Sequence, residues 1–100
     1  MRIYISGGIT GVENYREKFD TCKRVLTDLY PDAEVIDPSE ILSLLPETLT
    51  WEEYMNISME ILKVCDTICM MQKWKYSKGA SKEYEYAIEH NYKMLMQVPE

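Results

Sequence analysis

The sequence predicts a small doubly wound α/β fold: a flavodoxin- or Rossmann-like parallel sheet of about four strands with helices on both faces. Strand and helix patterns alternate along the chain in the order βαβααβαβ, which favours parallel strands joined by right-handed crossovers. A near-continuous apolar run, Thr67 to Met71, is typical of a strand covered on both faces. The length of 100 residues and the 46% hydrophobic content fit one domain spanning residues 1–100.

Breakers and caps set the predicted element boundaries. Pro31 and Pro46 each end a helix. Thr50 with Glu53 forms a capping-box pattern that begins another helix. The predicted strands are Arg2 to Ser6, Ala33 to Ile36, Thr67 to Met71 and Lys93 to Val98. The first predicted helix begins at about Glu13 and stops before Pro31. The other predicted helices run from Ser39 to Leu45, from Thr50 to about Cys65 and from about Ala80 to Asn91.

Residues at helical spacing give three of these helices a packed face. In the helix that begins at Thr50, the packed face carries Trp51, Tyr54 or Met55, Ser58, Ile61, Leu62 and Cys65. In the last helix these residues are Tyr84, Ala87 and Ile88. In the first helix they are Tyr15, Phe19, Cys22, Leu26 and Leu29.

Composition and charge exclude several functional classes. The formal net charge of -6 disfavours a nucleic-acid duplex as a partner, although local groups can still bind a small anion. No apolar run is long enough to cross a bilayer and no signal peptide is evident, so we expect a cytoplasmic protein without a membrane partner. The three cysteines, Cys22, Cys65 and Cys69, contain no CxxC pair. We therefore expect buried thiols and no metal site.

A glycine loop follows the first strand, at the end where ligands bind in α/β sheets. Its spacing does not match a dinucleotide-binding fingerprint, and it lacks the lysine of a P-loop. A glycine turn before a helix favours a phosphate, hydroxyl or carboxylate. The alternative is a tight turn that only lets the helix pack on the sheet. The substrate-binding candidates in this loop are Ser6, Gly7, Gly8, Ile9, Thr10 and Gly11.

A second loop, after the apolar strand, leads into the last helix and carries Glu83 in the predicted first turn of that helix. Its small residues let a sugar approach the backbone, and Tyr4 can direct its hydroxyl at the Glu83 carboxylate. The alternative is that Glu83 belongs to a solvated acidic face that complements the helix dipole. The binding candidates around this loop are Trp74, Ser77 and Gly79.

Several segments together resemble the nucleoside 2-deoxyribosyltransferase superfamily, which includes the 2'-deoxynucleoside 5'-phosphate N-hydrolases. The resemblance spans nearly the whole chain through short motifs. The segments that carry it are Tyr4 to Gly11, Asp37-Pro38, Cys65 to Ile68, and Ser77 with Gly79, Ala80 and Glu83.

The resemblance implies a role for each matching residue. Glu83 corresponds to the nucleophile that attacks the anomeric carbon of a deoxyribosyl group, and Tyr4 to the tyrosine that positions it. Ser77 corresponds to a serine that binds the sugar phosphate. Asp66 is the nearest match to an aspartate that contacts or protonates the departing base, although it opens its strand and can belong to the opposite rim as a turn residue. The resemblance also implies a homodimer or higher homo-oligomer and no cofactor.

One difference from the N-hydrolases concerns the glycine loop. Thr10 occupies the region where those enzymes carry an arginine that contacts the 5'-phosphate, so phosphate binding would depend on backbone N-H groups and Ser77. A nucleoside or another phosphorylated ligand is the alternative. Trp51 and Trp74 are candidate stacking surfaces for a base.

Three functions are therefore compatible with the sequence. The first is an enzyme that cleaves an N-glycosidic bond or transfers the deoxyribosyl group of a nucleoside or nucleotide, with Glu83 as nucleophile. The second is a non-catalytic protein that binds or senses a nucleotide on the same fold. The third is a protein-interaction module with an acidic surface.

Overall fold

The computed structural model describes residues 1–97 and contains one four-stranded sheet. The strand order is β2-β1-β3-β4 and every neighbouring pair is parallel, which confirms the predicted fold class. A 3-10 turn, Trp74–Tyr76, precedes the last helix. The strands are β1 (Arg2–Ser6), β2 (Glu34–Ile36), β3 (Thr67–Met70) and β4 (Lys93–Met96). The helices are α1 (Tyr15–Leu29), α2 (Pro38–Leu42), α3 (Trp51–Lys63) and α4 (Lys78–Glu89).

The two central strands divide the core into two layers because side chains alternate across a strand. Ile3 and Ile5 of β1 pack with α1 on one face. Tyr4, the residue between them, packs on the other face, against the layer that α3 and α4 contribute to. Ser6 follows Tyr4 by two residues and therefore faces the same side. The alternation of side chains along β1 therefore directs the hydroxyls of both Tyr4 and Ser6 toward α4.

Caps explain where two helices differ from their predicted bounds. The Asp37 side chain accepts a hydrogen bond from the backbone N-H of Ser39 at 2.9 Å, so α2 begins at Pro38. This helix ends at Leu42, short of the predicted Leu45. The Ser77 hydroxyl accepts from the backbone N-H of Ala80 at 3.1 Å. Helix α4 therefore begins at Lys78, and Glu83 lies in its second turn, not in its first as predicted.

Other boundaries agree more closely with the sequence. Thr50 and Glu53 form both hydrogen bonds of the capping box that starts α3. Asn14 adopts a left-handed conformation (φ 57°), which delays the start of α1 to Tyr15. The predicted last strand extended to Val98, which lies outside the described residues; β4 ends at Met96.

Two predicted core positions are exposed. Leu29 is 65% exposed because it lies in the last turn of α1, beyond the part of the helix that covers the sheet. Ile88 is 52% exposed near the end of α4, where the inward position is taken by the fully buried Ala87. The apolar stripe that contacts the sheet is therefore narrower in both helices than the spacing alone indicates.

The crevice that a doubly wound sheet offers to ligands lies where neighbouring crossovers leave in opposite directions. Here β1 and β3 are adjacent, α1 follows β1 on one face, and α4 follows β3 on the other. The glycine loop and the Trp74–Tyr76 loop both begin at this point. Within residues 1–97, no helix is both long and apolar enough to cross a membrane.

Gly7 is the residue that lets the ends of β1 and β3 approach. A Cβ added there would lie 2.6 Å from Sδ and 3.0 Å from Cβ of Met71. We predict that Gly7→Ala lowers the free energy of unfolding by about 1–3 kcal/mol, because the contact includes a Cβ that cannot move without the backbone. Urea denaturation measures this loss.

Gly79→Ala is the matched control. Its added Cβ would meet mainly the flexible Sδ of Met55, at 2.9 Å, and alanine favours the first turn of α4. We expect little or no loss of stability in this variant. An equal loss in both variants would contradict the assigned role of Gly7.

Candidate active site

Glu83 is a carboxylate buried in the second turn of α4. Only 5% of its surface is exposed, whereas Lys82 and Glu85 on the same helix face solvent. A charged side chain is rarely buried to this degree unless other groups satisfy it. The solvated acidic face that the sequence left open as an alternative therefore does not include Glu83.

Two hydroxyls of β1 satisfy the buried carboxylate. The Tyr4 hydroxyl donates a hydrogen bond to Oε2 of Glu83 at 2.5 Å, and the Ser6 hydroxyl donates to Oε1 at 2.7 Å. Each carboxylate oxygen thus has one donor, and both donors come from alternate residues of the same strand. The predicted approach of Tyr4 to Glu83 is present. The contact of Ser6 with the carboxylate makes it part of the same cluster.

Burial sets the protonation of this cluster. It raises the pKa of Glu83 to about 7, while the hydrogen bonds from Tyr4 and Ser6 act in the opposite direction by stabilising the charged form. The pKa of Tyr4 is raised well above its ordinary value, first by burial and then by the neighbouring carboxylate. Tyr4 therefore stays protonated and remains a donor at neutral pH, where Glu83 exists in both protonation states.

A cavity of about 230 Å³ opens beside Glu83. Its walls come from the glycine loop, from α2 and α3, and from the start of α4. This volume is below the range of about 300–1,000 Å³ that is usual for sites enclosing a whole drug-sized ligand. The predicted site residues on its wall are Tyr4, Gly7, Ile9, Thr10, Ser77, Gly79 and Glu83.

The two predicted loops meet at the edge of this cavity. A Cβ added to Gly8 would lie 3.6 Å from Cβ of Ser77, so the glycine loop and the start of α4 are in near contact. Thr10, Tyr76 and Ser77 also line an adjoining groove of about 620 Å³, which contains Gly8. The cavity beside Glu83 therefore continues into this groove.

Asp66 and Trp74 do not join this cavity. Asp66 precedes β3 at the opposite edge of the sheet, where its carboxylate accepts hydrogen bonds from the Arg2 N-H at 3.1 Å and the Thr67 hydroxyl at 2.7 Å. The Thr67 hydrogen bond is the main cause that lowers the pKa of Asp66. Trp74 stacks on Tyr84 at 4.4 Å between ring centroids and lines a separate groove.

The remaining loop glycine has a conformational role. Gly11 has φ +73° and no atom within 4 Å of an added Cβ, so it shapes the turn without lining the cavity.

Sequence reasoning did not assign a functional role to several cavity residues. Ser58 is 4% exposed and lines the cavity from α3. Its hydroxyl donates to the Tyr54 carbonyl at 3.0 Å. The nearby Ser58 side chain also lowers the pKa of Tyr4, against the larger effect of burial. The sequence signal that could have identified Ser58 is the presence of a serine on the packed face of an otherwise apolar helix. Tyr54, Tyr76 and Lys78 complete the polar wall.

Within the described residues, no group of three or more His, Cys, Asp or Glu side chains is arranged to hold a metal ion. The three cysteines are buried as free thiols.

Comparisons with known proteins relate the chain to a protein family and to a solved enzyme structure. The sequence pattern of the family described as "Domain of unknown function (DUF4406)" matches residues 1–96. No curated protein matches the chain. The structure is similar to the 2-deoxyribosyltransferase of the psychrotolerant bacterium Bacillus psychrosaccharolyticus, with a TM-score of 0.73 and 16% sequence identity. The match covers 100% of this chain and 77% of the transferase chain. The chain therefore has the fold of a 2-deoxyribosyltransferase.

The buried carboxylate predicts an unusual pH dependence of stability. The folded-state pKa of Glu83, about 7, lies above its ordinary value of 4.5, so the folded protein binds more protons than the unfolded chain between these values. Its contribution to stability is therefore full below about pH 4.5 and is lost as the pH rises through about 7. We predict a loss of about 3 kcal/mol from this group.

Glu83→Gln removes the charge and keeps the shape. We expect it to be more stable than the wild type at pH 8 by about 1–3 kcal/mol and nearly equal at pH 4.5. Denaturant unfolding at both pH values measures the difference, and Glu85→Gln, at an exposed position of the same helix, is the control. A loss of stability in Glu83→Gln that does not depend on pH would show that the charge of Glu83 is not the cause.

Proposed function

The chain belongs to the DUF4406 family, a domain of unknown function. We propose that it cleaves the N-glycosidic bond of a nucleoside or nucleoside 5'-monophosphate, or transfers the deoxyribosyl group of such a substrate. The single observation that carries this proposal is the Glu83 carboxylate, buried beside a cavity and held by the hydroxyls of Tyr4 and Ser6. The 2-deoxyribosyltransferase fold supports the same class of chemistry.

The proposed reaction begins with the ionised form of Glu83. One carboxylate oxygen attacks the anomeric carbon of the sugar, the new C-O bond forms, and the C-N bond to the base breaks with its electron pair leaving on the base nitrogen. The transition state carries positive charge on the sugar, which the carboxylate stabilises in a site of low polarity. Water or a second base then displaces Glu83 from the anomeric carbon and restores the carboxylate.

Tyr4 and Ser6 hold the carboxylate in place during both steps. Their hydrogen bonds fix each oxygen of Glu83, so the side chain loses little rotational freedom when the substrate binds. They also lower the pKa of Glu83 from the value that burial alone would give, which increases the fraction of the reactive anion at neutral pH. We assign both as positioning residues for the nucleophile.

The departing base needs a proton, and Asp66 is too remote in the fold to supply it. On the described cavity wall, the hydroxyls of Tyr54 and Tyr76 are groups that can donate one. A base that leaves toward this wall reaches them directly.

The homodimer implied by the family resemblance remains part of the proposal.

Release of free base is the direct test. We predict that the protein liberates base from at least one member of a panel of deoxynucleosides and their 5'-monophosphates, as measured by chromatography. Glu83→Gln should lower the rate by about 10³-fold or more, because the amide cannot form the glycosyl ester. Glu85→Gln, which removes an exposed charge from the same helix, should leave the rate unchanged.

If no member of the panel is cleaved and nucleotides still bind saturably by calorimetry, the protein is a nucleotide-binding protein and the catalytic proposal is wrong. Undiminished base release by Glu83→Gln would also contradict the assigned nucleophile.

The pH profile tests the protonation of Glu83 separately. We predict that kcat/KM rises with pH and levels off above about 7, since only the ionised carboxylate attacks. Tyr4→Phe removes a hydrogen bond that stabilises the anion, so the rise should move to higher pH and the plateau should fall. A profile that does not move in Tyr4→Phe would contradict this role of the Tyr4 hydroxyl.

A further inference from the structure

Two lysines converge on one tryptophan beside the Glu83 cavity. The Nζ of Lys78 lies 4.6 Å from the centre of the Trp51 ring, and the Nζ of Lys82 lies 5.7 Å from it. Lys78 and Lys82 are four residues apart on α4 and therefore share a helix face. Trp51 and Lys78 both line the cavity. This cluster, Trp51 with Lys78 and Lys82, is the feature that the reaction scheme leaves without a binding role.

The charges of the cluster are not neutralised within the protein. Among residues 1–97, the ion pairs involve other side chains, and neither Lys78 nor Lys82 has a carboxylate within ion-pair distance. This is notable in a chain with 17 acidic and 11 basic residues. Two ammonium groups over one ring repel each other, and an anion between them relieves that repulsion. The cluster is therefore a local positive site on an acidic protein.

The surrounding backbone adds to this positive potential. Trp51 is the first residue of α3, and Lys78 is the first residue of α4, so two helices direct their N-termini toward the cluster. The nearby Glu53 is engaged in the capping box through the backbone N-H of Thr50, at 2.8 Å.

We propose that Trp51, Lys78 and Lys82 form a phosphate subsite that makes a phosphorylated nucleoside the preferred ligand of the Glu83 cavity. This inference rests on the proposed function and specifies its substrate class. The two ammonium groups donate to separate phosphate oxygens, while Trp51 fixes their stems. Their placement compensates for the net charge of -6, which would otherwise repel such a ligand.

A variant pair tests the subsite. Lys78→Met with Lys82→Met removes both charges and keeps the apolar stems on Trp51. We expect kcat/KM for a deoxynucleoside 5'-monophosphate to fall by about 10- to 100-fold, while the value for the matching deoxynucleoside changes less than about twofold. The double Lys→Arg variant, which keeps the charges, should recover most of the loss. Equal losses with both substrates would overturn the proposal.

Lys75→Met is the matched control. Lys75 also lies over a tryptophan, 6.0 Å from the centre of the Trp74 ring, but that ring lines a different groove. We expect kcat/KM for the monophosphate and for the nucleoside to be the same in this variant as in the wild type. A selective loss in Lys75→Met, or in Lys73→Met from the adjoining groove, without one in the Lys78 and Lys82 pair would place the phosphate elsewhere and overturn the proposal.

Titration calorimetry with the Glu83→Gln variant measures ligand affinity at the subsite in the absence of turnover. A monophosphate should bind this variant at least about 10-fold more tightly than the nucleoside, and the two Lys→Met changes should abolish that preference. Loss of this binding preference would contradict the subsite, whereas the absence of base release by the wild type would contradict the proposed function. The two failures can therefore be distinguished. Inorganic phosphate distinguishes the two sources of the anion. If it binds in a Lys78- and Lys82-dependent manner and the monophosphate has no advantage, the subsite takes the free ion and the substrate preference is overturned.

Discussion

The hydrogen-bonded cluster of Glu83, Tyr4 and Ser6 is the interaction on which the rest of the site depends. The buried carboxylate, with only 5% of the residue exposed, loses most of its hydration, and two hydroxyls replace only part of it, which leaves its pKa at about 7. A neutral side chain of the same shape that still accepts these hydrogen bonds would avoid the cost of burying a charge. The buried carboxylate weakens the fold at neutral pH, and the proposed nucleophilic role gives a reason for keeping its charge.

The fold supplies this cluster through simple geometric rules. Side chains two residues apart on β1 face the same layer, so Tyr4 and Ser6 both reach α4. The adjacent parallel strands β1 and β3 leave a crevice at their carboxyl ends. Gly7 permits those ends to approach, and the Ser77 cap fixes the turn at which α4 presents Glu83. The cavity beside Glu83 follows from this arrangement, because loops from both strands border it.

Periodicity, breakers and the family resemblance were sufficient to predict the sheet, the two loops and the approach of Tyr4 to Glu83. They were insufficient where the position of a side chain depends on which end of a strand it lies at or on how its ring packs. Asp66 has the expected residue type, yet it precedes β3 and so belongs to the opposite edge. Trp74 follows the right strand, but its ring stacks on Tyr84 outside the cavity. The convergence of Lys78 and Lys82 on Trp51 joins two helices distant in sequence, which no local pattern encodes.

The central claim is that Glu83 forms a covalent bond with the anomeric carbon of a sugar. A 2'-fluoro nucleoside analogue slows release of the sugar from the enzyme, so mass spectrometry of the protein after incubation, followed by peptide mapping, tests this claim most directly. We predict one added fluorinated glycosyl group, located on Glu83 and absent from Glu83→Gln. An unmodified protein that still releases the base of the analogue, or an adduct on another residue, would contradict the account.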